Sequence, residues 1–547
     1  MSNIMKNFYK FAAALLLGAG FLAVSCNQKE EKTYMIGADP TVITDIAANN
    51  PSAEVVVVST DAPYWIATTT EDWISVDPVQ GLSGETIVTL TFTSNYKNEG
   101  TTTAPRSGSV KFSGGMTSVT VNISQLGHEA VIDPSASIGG IPDLEEFIKF
   151  RDAVNDGNVL TRWTNDNGEI ALLADIDLGA YEEWEPVGLV SASGNANNAS
   201  KAVGAPFTGV FNGGGHKISN FNVSATLAEG TTWGLFGYIS NATVKNLEVE
   251  AKVTLSAAGV ADAGIVVGTA YGSTIENVKV KGTVKSTGTT ASARFAVGGI
   301  AGFIFAPDDA TSGTTLNTTV KGCTADLEVD VDGGSNTANG ATCAMYGGIV
   351  AFATNDKGTS RNYIEDCINN GSIKAKVGRC SGIVPTANGG TVVRGCTNNA
   401  SQLNTIANGR IGQIVCNLAA DSGVIDCVNN GDLTTTGNQT TAGGLVALLG
   451  NASAYVEGGA NYGTIIAGFD PATDGQGRRF TGLLFANVTN LDHVSDVVAS
   501  GRLGVYKADG NHEMYEITQE NYMTYALGGK ISDANLAKVS GITYVAK

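Results

Sequence analysis

The chain of 547 residues has little histidine, tryptophan and charge. It contains four His and five Trp, and 16% of its residues are charged, with 33 Lys and Arg against 52 Asp and Glu. Four scattered histidines disfavour acid–base catalysis by histidine. The net charge of −19 disfavours nucleic acid and anionic lipid headgroups as partners. The 69 glycines, with frequent Ser, Thr, Asn and Val, instead indicate β-structure with many turns.

Long apolar runs are scarce as well. Residues 11–24 are apolar and follow Lys6 and Lys10, but they fall short of the roughly 20 residues that a spanning helix needs. They predict a signal peptide over residues 1–25. The run ends at Leu22-Ala-Val-Ser-Cys26, which resembles a lipoprotein signal-peptidase box. This resemblance implies that Cys26 is lipidated and anchors the chain in a membrane, the alternative being an ordinary exported protein.

Residues 26–34 are predicted to be the lipidated Cys and a surface-export linker. Lys29, Glu30 and Glu31 resemble the export signal of Bacteroidetes lipoproteins, a Lys followed by two acids. The resemblance implies a protein anchored by lipid in the outer membrane and exposed on the cell surface. The alternative is a solvated charge run in a linker.

A ten-residue phrase recurs in the second half of the chain. Its cleanest copies are Ile364–Ile373 and Val424–Leu433, and Val393–Ala400 gives most of it. A short strand of small residues precedes each copy, and the period is about 30 residues, which predicts a solenoid. The same spacing runs upstream, where Leu247, Val278 and Cys323 take the position that Cys367 holds in the cleanest copy.

Residues 35–128 are predicted to form a β-sandwich, because short alternating strands are separated by regular turns. Trp73–Pro78, Arg106–Gly108 and Ser124–Gly127 resemble the BACON family, the immunoglobulin-like modules of Bacteroidetes surface proteins. The resemblance implies an immunoglobulin-like fold, with carbohydrate binding suspected for the family. It also places Trp65 and Trp73 in the core, although they could look like a sugar platform. Residues 129–140 are the predicted linker.

Residues 141–503 are predicted to form a right-handed parallel β-helix, so the fold class is all-β. Residues 206–221 and 233–237 are similar to the opening of β-helices that carry GLUG-type repeats, bacterial surface proteins of mostly unassigned role. Some belong to large proteases whose catalytic domain is separate, and nothing in this chain supplies one. An amphipathic helix from Asp143 to Gly157 is expected to cap the first coil, with Glu146 closing a capping box. Residues 504–547 are the predicted C-terminal cap.

The repeat phrase predicts columns of like side chains along the solenoid. One is a column of small buried hydrophobes. A disulfide between neighbouring parallel strands would have poor torsions, and the redox state of the column is left open. Its cysteines are Cys323, Cys367, Cys396 and Cys427. Asn370, Asn399 and Asn430 are expected at turns, in left-handed conformation and with amides bonded from coil to coil. Gly371 and Gly431 are expected to allow the tight corner.

Few residues suggest catalysis or metal binding. Glu328, Asp330 and Asp332 alternate along one strand and are a weak calcium candidate; otherwise no metal or cofactor is expected. His512 lacks the second His of a zinc-protease motif, since Glu516 takes that position. Asp366 and Asp426 share one repeat position, which could align carboxylates for a polysaccharide enzyme or could be turn chemistry.

The sequence therefore predicts a surface lipoprotein without catalytic residues that binds a glycan or a host or microbial surface glycoprotein, as an adhesin would. Two alternatives stay open: a β-helix polysaccharide lyase or glycoside hydrolase, and a structural spacer or surface-layer component. A binding site is expected on loops, for which residues 305–317 and 330–343 are candidates because the phrase spacing widens there. The ligand and the oligomeric state are left open.

Overall fold

The computed structural model describes residues 34–49, 52–97, 102–128, 137–192, 202–289, 293–309, 314–334, 342–355, 358–437, 440–467, 481–488, 491–506, 511–528 and 539–546. Cys26, Lys29, Glu30 and Glu31 lie outside these residues. The chain divides into two compact units, Met1–Pro134 and Ser135–Lys547. In the described ranges, no helix has both the length and the apolar character that crossing a membrane requires.

The N-terminal unit contains seven strands in one hydrogen-bonded sheet. They are β1 Ile36–Asp39, β2 Val42–Ile46, β3 Ser52–Thr68, β4 Ile74–Asp77, β5 Gln80–Phe92, β6 Arg106–Gly114 and β7 Thr117–Gln125. The sheet is continuous because the long strand β3 pairs with β5 along most of its length and with β6 at its end. β2 pairs with β7 in parallel, and the other pairs are antiparallel.

Both tryptophans of this unit pack in its core, as predicted. Trp65 is fully buried against Phe112, and Trp73 is 6% exposed beneath the guanidinium of Arg106, 4.5 Å from the ring centroid. A Cβ atom at Gly81 would lie 2.5 Å from the Trp65 ring, so glycine is required there. Neither indole is available as a sugar platform.

The C-terminal unit opens with helix α1, Leu144–Asn155. Its N-cap is Asp143, whose Oδ1 accepts from the Glu146 backbone N–H at 2.9 Å, and Gly157 follows with a φ of 70°. The predicted capping box is wrong in one respect. Rather than a bond back to Asp143, the Glu146 carboxylate makes hydrogen bonds to Arg162 and Trp163.

Each coil of this unit then contributes strands to four sheets in a fixed order. One coil runs through Thr243–Lys245, Glu248–Ala257, Ala261–Gly264 and Val267–Tyr271. Equivalent strands of successive coils pair in parallel, so that, for example, Val244 lies beside Ile275. We call each strand of a sheet a rung. This stack of parallel rungs is the predicted β-helix.

The four sheets are named in chain order. The first contains Glu169–Ala171, Val210–Asn212, Thr243–Lys245, Thr274–Glu276, Thr318–Lys321, Asn362–Glu365, Val392–Arg394, Gly423–Ile425, Tyr455–Glu457 and Val494–Ser495. The second contains Ile176–Asp177, Lys217–Leu227, Glu248–Ala257, Lys279–Thr289, Thr324–Gly334, Ile368–Asn369, Ser372–Lys376, Thr397–Asn398, Ser401–Asn404, Val428–Asn429, Leu433–Thr435, Ala460–Asn461, Thr464–Ala467, Val497–Ala499, Arg502–Tyr506, His512–Met514 and Ile542–Tyr544.

Two residues join each third-sheet strand to the fourth-sheet strand of the same coil, such as Ile265 and Val266 between Gly264 and Val267. The third contains Val190–Ala192, Ala202–Gly204, Thr231–Trp233, Ala261–Gly264, Phe295–Gly298, Ala344–Gly347, Arg379–Ser381, Arg410–Gly412, Thr441–Gly443 and Thr481–Gly482. The fourth contains Phe236–Ser240, Val267–Tyr271, Ala301–Ala306, Val350–Asn355, Val384–Ala387, Val415–Leu418, Val446–Leu449 and Phe485–Val488. A hairpin of Asp308–Asp309 and Thr314–Thr315 follows one fourth-sheet rung. Residues 330–334, predicted to be loop, instead continue the second-sheet strand Thr324–Gly334.

The C-terminal segment closes on the last coils. His512–Met514 pairs antiparallel with Arg502–Tyr506, and Ile542–Tyr544 pairs in parallel with Val497–Ala499. The segment also contains a short helix, α2 at Tyr522–Ala526.

The cysteine column is confirmed as a set of buried side chains, and the structure has their thiols free. Cys323, Cys367, Cys396 and Cys427 are each 0% exposed, and each Sγ donates to a backbone carbonyl, as from Cys396 to Ile364 at 3.4 Å. Burial raises the pKa of Cys396, so the neutral thiol is favoured there.

The asparagine prediction is confirmed for the amides and wrong for the backbone. Asn399 Nδ2 donates to Asn370 Oδ1, and Asn430 Nδ2 to Asn399 Oδ1, each at 2.8 Å. A buried ladder that the sequence analysis missed runs beside it, joining Asn369, Asn398, Asn429 and Asn461 at 2.7–3.0 Å. The left-handed residues lie in the preceding turn, at positions such as Asn277, Asp366 and Asp426.

The corner glycines also act for a different reason than predicted. Neither Gly371 nor Gly431 has a positive φ among the values described. A Cβ atom on either would instead lie 2.0 Å from a carbonyl oxygen of the preceding coil. Close approach of backbones therefore requires glycine at these two corners.

Candidate functional site

Asp366 and Asp426 occupy the turn that joins the first sheet to the second. Their φ values are +54° and +51°, and Gly395, between them in the stack, has +61°. A Cβ atom on Gly395 would lie 2.5 Å from Asp366 Oδ1, so the carboxylate fills the space above that glycine. The alternation of Asx and Gly therefore serves the turn, and Gly395 separates the two aspartates along the stack.

The calcium candidates lie in a row on the outer face of the second sheet. Glu328, Asp330 and Asp332 alternate with buried residues along their strand. Asp330 lies 3.2 Å from Lys374, and Asp332 lies 3.5 Å from Lys376, on the next coil. Across the described ranges, no cluster of three or more His, Cys, Asp or Glu side chains has an arrangement that could hold a metal ion.

A different group of side chains converges on the outer face of the first sheet. We call it the tyrosine–arginine face and define it by four consecutive rungs with Arg361 at its edge. The rungs are Asn362–Glu365, Val392–Arg394, Gly423–Ile425 and Tyr455–Glu457. Their middle residues point inward and are fully buried, so the residues on either side point outward.

Register places the outward residues of these rungs in two columns. Tyr363, Val392, Gly423 and Tyr455 form one column, and Glu365, Arg394, Ile425 and Glu457 form the other. His493 continues the first column, since it precedes Val494, which pairs with Val456. The sequence thus brings two tyrosines, a histidine, an arginine and two carboxylates to one surface.

The hydroxyl end of the Tyr455 ring lies over Gly423. A Cβ atom on that glycine would be 2.1 Å from the ring Cζ, so a larger residue would displace the ring. Tyr455 is half-buried, which leaves its other side toward solvent, and Val392 in the same column is only 7% exposed. The tyrosine therefore forms a fixed aromatic surface with a hydroxyl at its edge.

Charges surround this ring. Arg394 Nη1 lies 3.3 Å from Glu365 Oε1, and Lys321 Nζ lies 3.9 Å from Glu365 Oε2. Arg361 Nη1 donates to the carbonyl oxygens of Gly358 and Ser360, at 3.2 and 3.4 Å. No ion pair with a carboxylate is described for Arg361, and none with a cation for Glu457, among the residues that the structure covers.

Burial raises the pKa of the Tyr455 phenol, with Glu457 adding to the shift and Arg394 and Arg361 opposing it. The phenol is therefore protonated at neutral pH and serves as a hydrogen-bond donor rather than as a poised base. Glu365 and Glu457 lie three rungs apart, about 14 Å at the usual strand spacing. That separation exceeds the roughly 5–9.5 Å that glycoside hydrolysis needs between its two carboxylates.

A second concave feature lies on the second sheet. It is a depression of about 240 Å³ lined by Asn220, Asn222, Glu250, Ala251, Lys252, Lys281 and Gly282. Lys281 Nζ lies 2.7 Å from Glu248 Oε1, and Lys217 Nζ lies 3.2 Å from Glu250 Oε2. It has no aromatic lining residue and is smaller than the usual ligand pocket of about 300–1,000 Å³, so we rank it below the tyrosine–arginine face.

The tyrosine–arginine face was not predicted from the sequence, because its aromatic residues are tyrosines and only tryptophans were considered as a sugar platform. All five tryptophans are buried, the most exposed being Trp73 and Trp184 at 6%. A signal was present: in each repeat phrase, the residues on either side of the inward Ile or Val point outward. Aligning those positions between copies would have placed Tyr363 and Tyr455 in one column.

Comparison with known proteins supports the N-terminal prediction. Residues 64–126 match the BACON family model, which is described provisionally as an N-terminal binding domain. The chain therefore contains a BACON domain. This domain favours a surface or carbohydrate-binding role at a coarse level. One curated relative, halomucin of Haloquadratum walsbyi, is 36% identical over 137 residues, which are 24% of this chain and 1% of halomucin.

Parts of this chain are also similar to three solved structures. A GH5 xyloglucanase of Bacteroides ovatus bound to a heptasaccharide is 17% identical, with a TM-score of 0.15, over 20% of this chain and 22% of its own. A Bacteroides ovatus protein titled provisionally as an immunoglobulin A1 protease is 17% identical, with a TM-score of 0.33. The match covers 54% of this chain and 76% of that protein. A structure titled IgA1 Protease is 12% identical, with a TM-score of 0.38. The match covers 90% of this chain and 30% of that protein. Scores this low carry no argument about function.

Proposed function

We propose that this chain is a surface lipoprotein that binds a glycan, free or on a surface glycoprotein, through the tyrosine–arginine face and without changing it chemically. The observation that carries the proposal is the half-buried Tyr455 ring, which lies against Gly423. Aromatic side chains with a polar edge suit interfaces where one side is apolar and the other wet. A sugar ring offers apolar C–H groups for the aromatic surface and hydroxyls for the polar groups around it.

The groups around the ring support the same ligand class. The Tyr455 phenol and the Arg361 and Arg394 guanidinium groups donate hydrogen bonds, and Glu457 accepts them. Because the carboxylates are far apart and the phenol stays protonated, binding is favoured over hydrolysis. Surface display rests on the sequence around Cys26, Lys29, Glu30 and Glu31.

One observation favours a second candidate, a polysaccharide lyase. His493 lies beside Tyr455 in the same column, with Arg394 nearby. A lyase needs a Tyr or His base and a cation that neutralises a uronate. The spacer alternative has no comparable observation in its favour.

The test uses residues 33–547, which lack the predicted signal peptide and Cys26, on an array of plant, mucin and matrix glycans. We expect retention of at least one glycan class by the unaltered face and its loss in Tyr455→Ala. The matched control is Tyr462→Ala, which removes a tyrosine that is 37% exposed and lies outside the face. Tyr64 lies in the BACON domain and is 61% exposed, so Tyr64→Ala tests whether the N-terminal unit binds the glycan. Loss with Tyr64→Ala alone would place binding there and contradict the proposal.

A further inference from the structure

Arg361 is held in a fixed position at the edge of the tyrosine–arginine face. Its backbone N–H donates to Asn317 Oδ1 at 2.9 Å, and its Nη1 donates to the carbonyl oxygens of Gly358 and Ser360 at 3.2 and 3.4 Å. A Cβ atom on Gly390, just before the next rung, would lie 2.6 Å from Nη1 and 2.8 Å from Cζ. The guanidinium group therefore lies over that glycine and reaches from its own rung across the next one.

Tyr455 reaches toward Arg361 from the opposite direction. Its hydroxyl end lies over Gly423, which is one rung closer to Arg361 than Tyr455 itself is. Gly390 and Gly423 are one rung apart and two residues apart along the strand direction, a separation of about 8 Å. Val392, only 7% exposed, lies beside both glycines. The guanidinium group and the phenol therefore border one small area of the surface, which has an apolar floor.

Arg361 is also the cation of this area whose charge is not neutralised by an ion pair. Glu365 is shared by Arg394 at 3.3 Å and Lys321 at 3.9 Å. Asp308 is close enough for a weak electrostatic interaction with Arg361, but its Oδ1 accepts from a backbone N–H at 3.0 Å, and no ion pair joins the two among the residues that the structure describes. The side-chain bonds described for Arg361 go to neutral carbonyl oxygens and use Nη1, so Nε and Nη2 can donate to a ligand.

The charge of the whole chain limits how acidic that ligand can be. A net charge of −19 repels a densely charged polyanion at long range. A glycan with one acidic group among neutral sugars avoids most of this repulsion and still offers a partner to Arg361. Carboxylate and sulfate groups both match the planar fork of N–H donors that a guanidinium group presents.

We propose that the glycan bound at the tyrosine–arginine face carries an isolated acidic group, a carboxylate or a sulfate, which pairs with Arg361 while the adjoining sugar ring lies against Tyr455. This inference rests on the proposed glycan binding and names the class of sugar that the face selects. Arg361 then determines specificity, whereas Tyr455 supplies a contact that acidic and neutral sugars share.

The test compares acidic glycans with neutral counterparts, in which the carboxyl group is reduced to an alcohol or the sulfate is removed. Residues 33–547 are applied to an array of such pairs. We expect the parent to bind the acidic member about tenfold more tightly than the neutral member, as a charge-assisted hydrogen bond allows. Arg361→Met should abolish this preference without weakening retention of the neutral member, and Arg361→Lys should keep part of it.

Two controls separate recognition of the acid from general effects of charge and folding. Lys374→Gln removes an equal charge from an exposed ion pair on the second sheet and should keep the preference. The Tm of Arg361→Met should equal that of the parent, because the side chain it changes lies at the surface. Tyr455→Ala should lose both members of each pair, which distinguishes the shared contact from the acid-specific one.

The outcomes also identify the acid. A preference within the carboxylate pairs indicates a sugar acid, a preference within the sulfate pairs indicates a sulfated sugar, and either supports the inference. Equal retention of acidic and neutral members, or a preference that survives in Arg361→Met, overturns the inference and leaves the proposed glycan binding intact. If the parent retains no member of any pair, the proposed function itself fails.

Discussion

Replacing Glu146 by Gln tests how the first coil of the β-helix is capped. The Glu146 carboxylate accepts from Arg162 Nε and Nη2, each at 2.9 Å, from Trp163 Nε1 at 2.9 Å and from Lys149 Nζ at 3.1 Å. The residue is 8% exposed, so these bonds are shielded from solvent. Glu146→Gln removes the charge while keeping the shape, and it leaves Arg162 without its bidentate partner.

The magnitude follows from the carboxyl pKa. The hydrogen bond from Arg162, more than any other contact, lowers the pKa of Glu146 from 4.5 to about 2. A shift of this size corresponds to about 3 kcal/mol of stability, since each pKa unit is worth about 1.4 kcal/mol. The folded-state pKa lies below the unfolded value, so this stability is present above pH 4.5 and is lost as the pH falls toward 2.

Hydrogen exchange of residues 138–172, followed by mass spectrometry, measures this local stability directly. At pH 7 we expect Glu146→Gln to lower the opening free energy of the segment by about 2–3 kcal/mol. Glu145→Gln is the control, because the Glu145 side chain is 78% exposed and pairs only with Lys149. Equal protection in the two variants would refute the reasoning.

Three further predictions concern the β-helix. Asn398→Ala, which interrupts the buried amide ladder, should lower the unfolding free energy by about 2–3 kcal/mol in urea titrations, whereas Asn399→Ala in the exposed ladder should cost less than about 1 kcal/mol. Arg294 pairs with the buried Asp262, so Arg294→Met leaves this carboxylate uncompensated and should lower the unfolding free energy by about 3–5 kcal/mol in the same assay. A smaller loss of unfolding free energy than that of Asn399→Ala would contradict this. Gly423→Ala should displace the Tyr455 ring and weaken glycan retention while the Tm changes little, and undiminished retention would count against the tyrosine–arginine face.

Features that depend on the repeat could be predicted from the sequence. The period of about 30 residues predicts stacked coils, and position within the phrase predicts the buried thiols and the exposed asparagine ladder. The helix cap at Asp143 and Gly157 follows from local rules for helix ends. Each of these requires only the spacing between residues that are near in sequence or equivalent in the repeat.

The remaining features depend on outward residues and on exact register. Tyr363 and Tyr455 lie 92 positions apart in the chain, and only the pairing of four rungs brings them into one column. Solvent-facing positions of a solenoid are not constrained by packing, so their residue types vary between copies, and only an alignment of the repeat copies brings these two residues together. The partner of Glu146 is Arg162, on a segment without a periodic pattern, which is why a capping box was predicted in its place.

The measurement that tests the central claim most directly is a glycan incubation that follows retention and chain cleavage together. Residues 33–547 and their Tyr455→Ala variant are incubated with the glycan array, and new reducing or unsaturated ends are quantified beside bound glycan. The account predicts retention without new ends, lost in Tyr455→Ala. Release of unsaturated products, dependent on Tyr455 and His493, would contradict it and establish a lyase instead.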